Sequence, residues 1–490
     1  MNRRTLLKNS GNMSLLWGLN GLTLLESIFM SRVQAATGWD IHSLIRQLGP
    51  EDALILIPTH ELYSRFNQEF NLRTAKLPAV RILVKNPQAI VTSLQWLKQE
   101  NIPFSIRCGG HSFEGLSQSH SVVIDTRLMN RVDVDLDQHT VNVGGGASLG
   151  QIYNAISPLG FAYPGGTCPN VGVSGHLLGG GYGLLARSFG LACDSLLSAE
   201  IVTADGRIEV VSEDRNPDLF WALKGGGGGS FGVVTRFTLK IYPLPKVSIF
   251  SMSWNLPKNK AATIFNNWQA WIAEAPSEIT SLFRFNKNPD GTFYLRTVGQ
   301  CIKSETWLQT ELRNLQMASP QRQSTKTLSF TDAASNFAGK QDYVSVYMKG
   351  KSDYIYNEIS EIGINVALAG IDQGSAGAVG LAFDGYGGKI AQVSETESAF
   401  VHRNAHSVLQ YFCQWQNPAA SQSRMAHVRA VHKSLRPYVS GFSYVNYCDT
   451  DISNWAHAYW GQNLERLIDV KTKWDPENFF KHAQSIPVRG

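Results

Sequence analysis

The segment GGTCPNVGVSGHLLGGGYG, residues 165–183, places eight glycines around Cys168. Two further segments are similarly rich in glycine: RCGGHSFEG at 107–115, which contains His111, and GGGGGSFGVV at 225–234. Glycine loses more backbone freedom on folding than any other residue, so such clusters are typical of backbone that must approach another group closely. Where no Cβ intervenes, converging backbone N–H groups bind phosphate without basic side chains. The three segments therefore predict a site for a phosphate-bearing ligand.

Two common phosphate-binding motifs are excluded by spacing. VGGGASLG, residues 143–150, does not have the glycine spacing of the dinucleotide fingerprint, and no acidic residue follows at the distance that the ribose requires. GGGGGSFG has no Gly-Lys-Ser/Thr and is not a P-loop. A phosphate-bearing cofactor is therefore expected to be held by a different fold.

The elements that must position these segments are short strands and amphipathic helices. RILV and FSIR read as strands on either side of the helical pattern QAIVTSLQWLKQ, which predicts a βαβ unit before the first glycine-rich segment. Strands are predicted at VVID, VDVD and TVNV, a helix after Ser148, and a hairpin around Asp205-Gly206. Beyond Pro245, glycines become fewer and aromatic residues recur in alternating runs such as FRFN and TFYLR. We expect a domain boundary at about 246.

Composition is that of a folded protein of several domains. The chain has 490 residues, 43% hydrophobic and 17% charged, and its formal net charge is +5. Much of that charge lies in the first 35 residues, so the body has no basic stripe and nucleic acid is not an expected partner. Six cysteines are far apart and contain no C-x-x-C pair, which argues against a zinc site and leaves one or two disulfides possible.

The N-terminus has the layout of an export signal. A basic head with Arg3-Arg4 is followed by an apolar stretch and by small residues, with a cleavage point expected near Ala35 or Ala36. The arginine pair resembles a twin-arginine signal, whose export machinery carries folded proteins. An uncleaved membrane anchor is the alternative, but Glu26 interrupts the apolar stretch, so stable membrane insertion is not expected. The mature protein is predicted to be periplasmic or secreted.

Four segments together resemble the berberine bridge enzyme family of FAD-linked oxidases. They are RCGGHSFEG, the long segment that starts at GGTCPNVG and runs to IVTADG, NPDLFWALKGGGGGSFGVVTRF, and the C-terminal YVNYCDTD…WDPENFF…QSIP. The similarity extends from about residue 60 to the C-terminus. It implies an α+β fold with a two-subdomain FAD-binding domain of the cresol methylhydroxylase (vanillyl-alcohol oxidase) type. A substrate domain with an antiparallel sheet covered by helices is also expected. The implied divisions are a signal at 1–36, an FAD domain at 37–246, a substrate domain at 247–443, and a segment at 444–490 that packs back on the FAD domain.

The resemblance implies FAD bound covalently twice, through His111 and Cys168. Without it, the histidine would read as a capped turn residue and the cysteine as a small buried thiol. Val171 corresponds to the position facing the flavin carbon where oxygen reacts; valine there is typical of oxidases, although a plain core valine is the alternative. The other residues implied to contact the cofactor are Arg107, Cys108, Gly109, Gly110, Ser112, Gly166, Gly172, Gly175, His176, Gly179, Gly180, Gly181, Gly183, Gly228, Gly229, Gly232, Val233, Val234 and Asn446.

Catalytic candidates come from the C-terminal third. In relatives that oxidise alcohols or sugar hemiacetals, a tyrosine of the Y-x-N-Y strand takes the hydroxyl proton, which points to Tyr444 or Tyr447. On a strand these two would face opposite sides, so only one is expected to face the flavin, and its pKa would have to be depressed. Gln410 matches a second active-site position; it is expected to orient substrate, or else to be a buried amide bonded to backbone.

The expected activity is that of an FAD-dependent oxidase. It would take a hydride from an alcohol or hemiacetal carbon of a carbohydrate, or of a hydroxylated natural product, and reduce O2 to H2O2. The alternatives are a flavin dehydrogenase with another electron acceptor and a non-catalytic ligand-binding flavoprotein. Aromatic residues of the second domain, such as Trp254 and Phe283, are expected to be mostly core, with a stacking floor for substrate as the alternative.

Overall fold

The computed structural model describes residue 34 and residues 37–315, 319–338, 345–375 and 377–490. The predicted export signal lies outside the described residues except for Gln34, so the signal and its cleavage point stay predictions.

The first sheet contains the two strands of the predicted βαβ unit and two further strands, one between them and one at the edge. Its order is β1-β2-β4-β3, in which β2, β4 and β3 are parallel and β1 is antiparallel to β2. Asn86 caps the crossover helix, because its side chain accepts a hydrogen bond from the backbone of Ala89 at 2.8 Å. The elements are β1 (Ala53–Leu56), β2 (Val80–Val84), β3 (Phe104–Arg107), β4 (Val122–Asp125), α1 (Ile41–Gln47), α2 (Tyr63–Phe66) and α3 (Pro87–Gln99).

The second sheet is antiparallel and has the order β5-β6-β10-β8-β9. The predicted hairpin at Asp205-Gly206 joins β8 to β9, and a capping box between Ser148 and Gln151 starts helix α4. A small two-stranded sheet pairs β7 with β11. The elements are β5 (Val132–Asp135), β6 (Thr140–Gly144), β7 (Phe161–Ala162), β8 (Leu196–Val202), β9 (Ile208–Ser212), β10 (Val233–Lys240), β11 (Tyr242–Pro243), α4 (Leu149–Ile156), α5 (Val173–Leu178), α6 (Ala186–Phe189) and α7 (Pro217–Leu223).

The third sheet begins at Val247 and has seven antiparallel strands in the order β15-β12-β14-β13-β17-β18-β16. Helices cover one face of this sheet, over a core rich in aromatic residues. The elements are β12 (Val247–Leu256), β13 (Ile279–Lys287), β14 (Phe293–Cys301), β15 (Arg322–Leu328), β16 (Tyr347–Ile355), β17 (Gly380–Gly385), β18 (Ser407–Trp415), α8 (Lys258–Glu274), α9 (Glu305–Glu311), α10 (Phe330–Ala338), α11 (Glu361–Asp372) and α12 (Ser421–Leu435).

The C-terminal segment contains the helices α13 (Trp455–Trp460) and α14 (Leu464–Trp474) and contacts the glycine-rich segments. The indole of Trp460 donates to the carbonyl of Gly225 at 3.1 Å, and the buried ammonium of Lys471 donates to the carbonyl of Ser230 at 2.6 Å. The backbone of the third glycine-rich segment is therefore held by side chains that lie more than 200 residues away in sequence.

The cysteines, all within the described ranges, form no disulfide. In the part of the chain that the structure describes, no group of three or more His, Cys, Asp or Glu side chains has the arrangement of a metal site. Among the same residues, no helix combines the length and apolar character needed to cross a membrane.

Candidate active site

A cavity of about 630 Å³ lies where the three glycine-rich segments, the third sheet and the C-terminal segment meet. This volume is within the range of cofactor and ligand sites. Most of the predicted site residues line it: Cys108, Gly109, Gly110, His111, Ser112, Gly166, Cys168, Val171, Gly172, Gly175, His176, Gly183, Gly228, Gly229, Gly232, Val233, Val234, Gln410, Tyr444, Asn446 and Tyr447.

Four predicted cofactor residues do not line the cavity and instead support its wall. Arg107 is buried in an ion pair with Glu69 and donates to the carbonyl of Gln68 at 2.6 Å. The other three are consecutive glycines after helix α5. A Cβ on the first would overlap the amide of Asn446, and the next two have positive φ values. The three are Gly179, Gly180 and Gly181.

Glycine brings the first two glycine-rich segments into backbone contact. A Cβ on Gly109 would overlap the backbone nitrogen of Gly172, and a Cβ on Gly172 would overlap the sulfur of Cys108. By contrast, a Cβ on Gly175 would meet no atom within 4 Å, and one on Gly228 would come no closer than 3.9 Å to any. Glycine at these two positions therefore leaves free space beside the backbone, as an extended cofactor requires.

His111 and Cys168 both line the cavity, on the two segments that glycine holds together. The imidazole of His111 stacks on Phe70 with ring centroids 4.8 Å apart. Burial, assisted by the charge of Arg107, lowers the pKa of His111 to about 4, so the ring is neutral at physiological pH. Burial raises the pKa of the Cys168 thiol. A neutral imidazole nitrogen and a thiol are the nucleophiles that covalent attachment of a flavin needs.

Tyr444 and Tyr447 are not on a strand, so the prediction that they face opposite sides was wrong. Residues Val445–Tyr447 form a 3-10 helix, and both rings line the cavity in edge-to-face contact with centroids 5.0 Å apart. A 3-10 helix has about three residues per turn, which places residues three apart on one side. The geometry therefore brings together two side chains that a strand would separate.

Hydrogen bonding distinguishes the two tyrosines. The Tyr444 hydroxyl oxygen accepts from the backbone N–H groups of Gly181 and Tyr182 at 2.9 and 3.2 Å and from the side-chain amide of Asn446 at 2.9 Å. The Tyr447 hydroxyl donates to Oδ2 of Asp384 at 3.0 Å. Tyr444 thus holds the second glycine-rich segment to the C-terminal segment, whereas Tyr447 is joined to a carboxylate.

Asp384 is a site residue that the sequence analysis missed. It lies on β17 and is only 6% exposed, and burial raises its pKa to about 6, against the opposing effects of the Tyr447 hydrogen bond and the charge of Arg284. Burial and this carboxyl also raise the pKa of Tyr447, contrary to the expected depression. The sequence does contain a sign of Asp384: it is the one acidic residue in the otherwise apolar strand GLAFDG. Burying a carboxylate without a cationic partner is costly, so such a residue often marks a functional site.

The third sheet contributes the remaining wall. The Gln410 side chain lines the cavity from β18 and forms no hydrogen bond with any residue in the described ranges, which favours contact with a ligand over the alternative of a backbone-bonded amide. Trp254, Phe283 and Phe285 are buried on the helix-covered side of the sheet, as expected for core residues. The ring of Phe113 stacks on that of Tyr447, with the ring centroids 5.5 Å apart.

Comparison with known families agrees with this geometry. The model of the FAD binding domain matches residues 78–212, and the model named Berberine and berberine like matches residues 443–487. The chain is 34% identical over 431 residues to the uncharacterized FAD-linked oxidoreductase YgaK of Bacillus subtilis, covering 87% of this chain and 94% of the relative. It is 30% identical over 497 residues to berberine bridge enzyme-like C-1 of Nicotiana tabacum, covering 87% and 88%.

The solved structure of Physcomitrella patens BBE-like 1 superposes with a TM-score of 0.83 at 28% identity, covering 94% of this chain and 99% of that one. Fold and cavity define an FAD-linked oxidoreductase with the predicted α+β architecture. The chain belongs to the berberine bridge enzyme-like family of these proteins.

Proposed function

We propose that this protein oxidises an alcohol or hemiacetal carbon of a carbohydrate, with FAD attached through His111 and Cys168 and with O2 as the electron acceptor. The observation that carries the proposal is the hydrogen-bonded pair of Tyr447 and Asp384, which lines the same cavity as His111 and Cys168. The pair provides a proton acceptor beside the site where the cofactor is expected.

The residues present fit FAD. Glycines leave space along the cavity wall, and neutral His111 and the Cys168 thiol supply two attachment points in one cavity. Bound FAD supplies a two-electron acceptor for the hydride of the substrate carbon. The protein must therefore bind the substrate and remove the proton of its hydroxyl group.

Tyr447 and Asp384 are suited to that removal. Tyr447 is expected to take the substrate proton while its own hydroxyl proton passes to Asp384, so the phenol never has to be ionised at rest. This resolves the difficulty posed by the raised pKa of Tyr447. Asp384, with a pKa of about 6, is mostly ionised near neutrality and close to the operating pH, which is the favourable range for a general base.

The cavity wall favours a sugar over an apolar polycyclic compound. The third sheet presents the polar side chains of Arg284, Asp384, Gln410 and Gln414 to the cavity, with Phe113 and Tyr447 as aromatic surfaces. Amides and charged groups hydrogen-bond hydroxyls, and flat rings pack against sugar faces. Val171 lines the same cavity, as expected if it faces the position where oxygen reacts.

Mass spectrometry of the acid-denatured protein tests the attachment. The intact chain is expected to carry the mass of FAD. His111→Ala and Cys168→Ala should each retain covalent flavin through the remaining bond, and the double variant should release all of it. A colourless wild-type precipitate with all flavin in the supernatant would contradict the attachment.

Anaerobic addition of a panel of mono- and oligosaccharides tests the reaction. At least one sugar should bleach the flavin absorbance, and readmitted oxygen should restore it with formation of H2O2. Turnover with a dye but without peroxide would replace the oxidase by a dehydrogenase. A flavin that stays oxidised with every sugar and alcohol would favour a non-catalytic binding protein.

A further inference from the structure

A strap formed by residues 68–74 runs beside the loop of residues 107–115, which carries the predicted attachment histidine. At one end of the strap, the carboxylate of Glu69 pairs with the buried guanidinium of Arg107. At the other end, a Cβ on Gly115 would overlap the side chain of the last strap residue. The strap and the loop are therefore in contact along their whole length.

Asn71 is the point at which the strap joins this loop to the third sheet. Its amide nitrogen donates to the carbonyl of Phe113 at 2.7 Å and to the carbonyl of Met348 in β16 at 3.1 Å. Its amide oxygen accepts from the backbone N–H groups of Met348 and Arg73, both at 3.1 Å. Asn71 is only 2% exposed and uses the full bonding capacity of its amide. One side chain therefore holds the strap, the loop and β16 together.

Arg73 reinforces this junction. Its guanidinium donates to the same Met348 carbonyl at 2.8 Å and to the same Phe113 carbonyl at 3.2 Å, and it pairs with Glu114 at 2.8 Å. The strap backbone also exchanges two hydrogen bonds with Val346, just before β16, at 2.8 and 2.9 Å. The loop cannot move relative to the sheet edge unless several of these bonds break together.

The strap also covers the imidazole of His111. Phe70 stacks on this ring with centroids 4.8 Å apart and an angle of 21° between the planes, and both residues line the cavity. A phenyl ring packed against one face restricts rotation of the imidazole about its Cβ–Cγ bond. The strap thus fixes both the backbone of the loop and the direction in which the imidazole nitrogens point.

Cys168 is held by other elements. Two residues before it, the carbonyl of Gly166 accepts from the hydroxyl of Tyr153 at 2.6 Å, and the N–H of Gly166 donates to Nε2 of His176 at 3.0 Å. These two side chains belong to helices α4 and α5 and not to the strap. A change in the strap is therefore expected to displace His111 and to leave the cysteine in place.

We propose that Phe70 and Asn71 are positioning residues for covalent attachment of FAD at His111, and that attachment at Cys168 does not depend on them. Attachment forms a bond between an imidazole nitrogen and a flavin carbon, with loss of the N–H and of one C–H. The two electrons and two protons released reduce the flavin, which O2 reoxidises with formation of H2O2. The inference rests on the proposed function and names the residues that direct one of its two attachment bonds.

Intact-mass spectrometry of the full-length chain tests this inference in two backgrounds. In Cys168→Ala only His111 is available for attachment, and in His111→Ala only Cys168 is. The covalently bound fraction is measured on purification and then during incubation with excess FAD in air. In the Cys168→Ala background, Asn71→Ala and Phe70→Leu should each slow attachment about tenfold or more, because reaction rates fall steeply when the reacting atoms are displaced. In the His111→Ala background, the same changes should alter the rate by less than about twofold, as expected of independent sites.

Asn463→Ala is the matched control. Asn463 is also a buried amide, 4% exposed, and its nitrogen donates to the carbonyls of Glu395, Ser398 and Ala399 at the start of helix α14. These partners lie outside both the strap and the loop. Asn463→Ala should therefore lower the Tm, as Asn71→Ala should, but leave attachment at His111 unchanged.

The outcomes separate positioning from a general effect on folding. Equal slowing of attachment in the two backgrounds, or equal slowing by Asn463→Ala, would mean that the strap only stabilises the fold, and the inference is then wrong. An unchanged rate at His111 in both strap variants would also overturn it. If Cys168→Ala with the native strap has no covalent flavin, the proposed attachment at His111 has itself failed, and this inference fails with it.

Discussion

Replacing Asp384 with asparagine should separate the stability of this protein from its activity. Asp384 is 6% exposed, accepts the Tyr447 hydroxyl at 3.0 Å, and has its pKa raised by burial from 3.8 to about 6. Asparagine has nearly the same shape and retains an oxygen that can accept from Tyr447. It has no charge at any pH and cannot take a proton.

The sign of the stability effect follows from the direction of the pKa shift of Asp384. The native carboxyl binds its proton more tightly than the unfolded one, so it favours the native state below about pH 4. That contribution is lost as pH rises from about 4 to about 6. At neutral pH the buried charge destabilises the fold by about 3 kcal/mol, at 1.36 kcal/mol for each pH unit. Asparagine removes this cost.

Thermal unfolding and kinetics at several pH values measure both effects of Asp384→Asn. Its Tm should exceed that of wild type at pH 8 and match it near pH 4. Its kcat should fall by about 10²–10⁴-fold, the usual contribution of a general base. Wild-type kcat/KM should fall as pH drops below about 6, because Asp384 becomes protonated there, and the variant should lack this dependence.

Asp353 provides a matched control for Asp384→Asn. It is buried in the neighbouring part of the same sheet, but it pairs with Arg436 at 2.7 Å. Asp353→Asn should therefore lower the Tm at pH 8, the opposite of Asp384→Asn, because it removes a partner from a charge. A Tm for Asp384→Asn below that of wild type at pH 8, or an unchanged kcat, would refute the assignment of Asp384 as a buried base.

Five other variants, in three experiments, test the site and its support. Tyr447→Phe should lower kcat by about 10²–10⁴-fold. Tyr444→Phe removes a hydroxyl oxygen that accepts three hydrogen bonds, so it should chiefly lower the free energy of unfolding, by about 1–3 kcal/mol. The reverse pattern, measured by rapid-reaction kinetics, would contradict these assignments. Val171→Leu should slow flavin reoxidation by O2 roughly tenfold, a barrier change of about 1.4 kcal/mol, and should leave dye reduction unchanged. An equal loss of rate with O2 and with the dye would show that Val171 does not control the access of oxygen. Lys349→Met should destabilise the protein by about 3–5 kcal/mol, because it removes a buried cation that pairs with both Glu114 and Asp449 and leaves each carboxylate with one cation, Arg73 or Lys351. Arg429→Ala at the exposed edge of the same cluster should change the free energy of unfolding in urea by less than about 1 kcal/mol.

Much of the fold was predictable from local sequence. The strand FSIR coincides with β3, VVID with β4 and VDVD with β5, and the helix after Ser148 begins where its capping box places it. Each of these elements is indicated by its hydrophobic pattern or by a capping hydrogen bond between residues three apart. The sequence features that determine these elements therefore lie within a few residues of one another. The family resemblance, carried by four sequence segments, and the α+β architecture that it implies are both confirmed.

The site itself was predicted in part. The three glycine-rich segments predicted one ligand site, and the family resemblance implied that His111 and Cys168 belong to it; the structure places all of them around one cavity. Tertiary structure decided which residues form the pair that we propose as the proton acceptor. Tyr447 and Asp384 are 63 residues apart and meet only because a 3-10 turn of the C-terminal segment lies against β17. The pKa of Asp384 likewise depends on its burial and on the nearby charge of Arg284, which are properties of the packed sheet and not of any short segment.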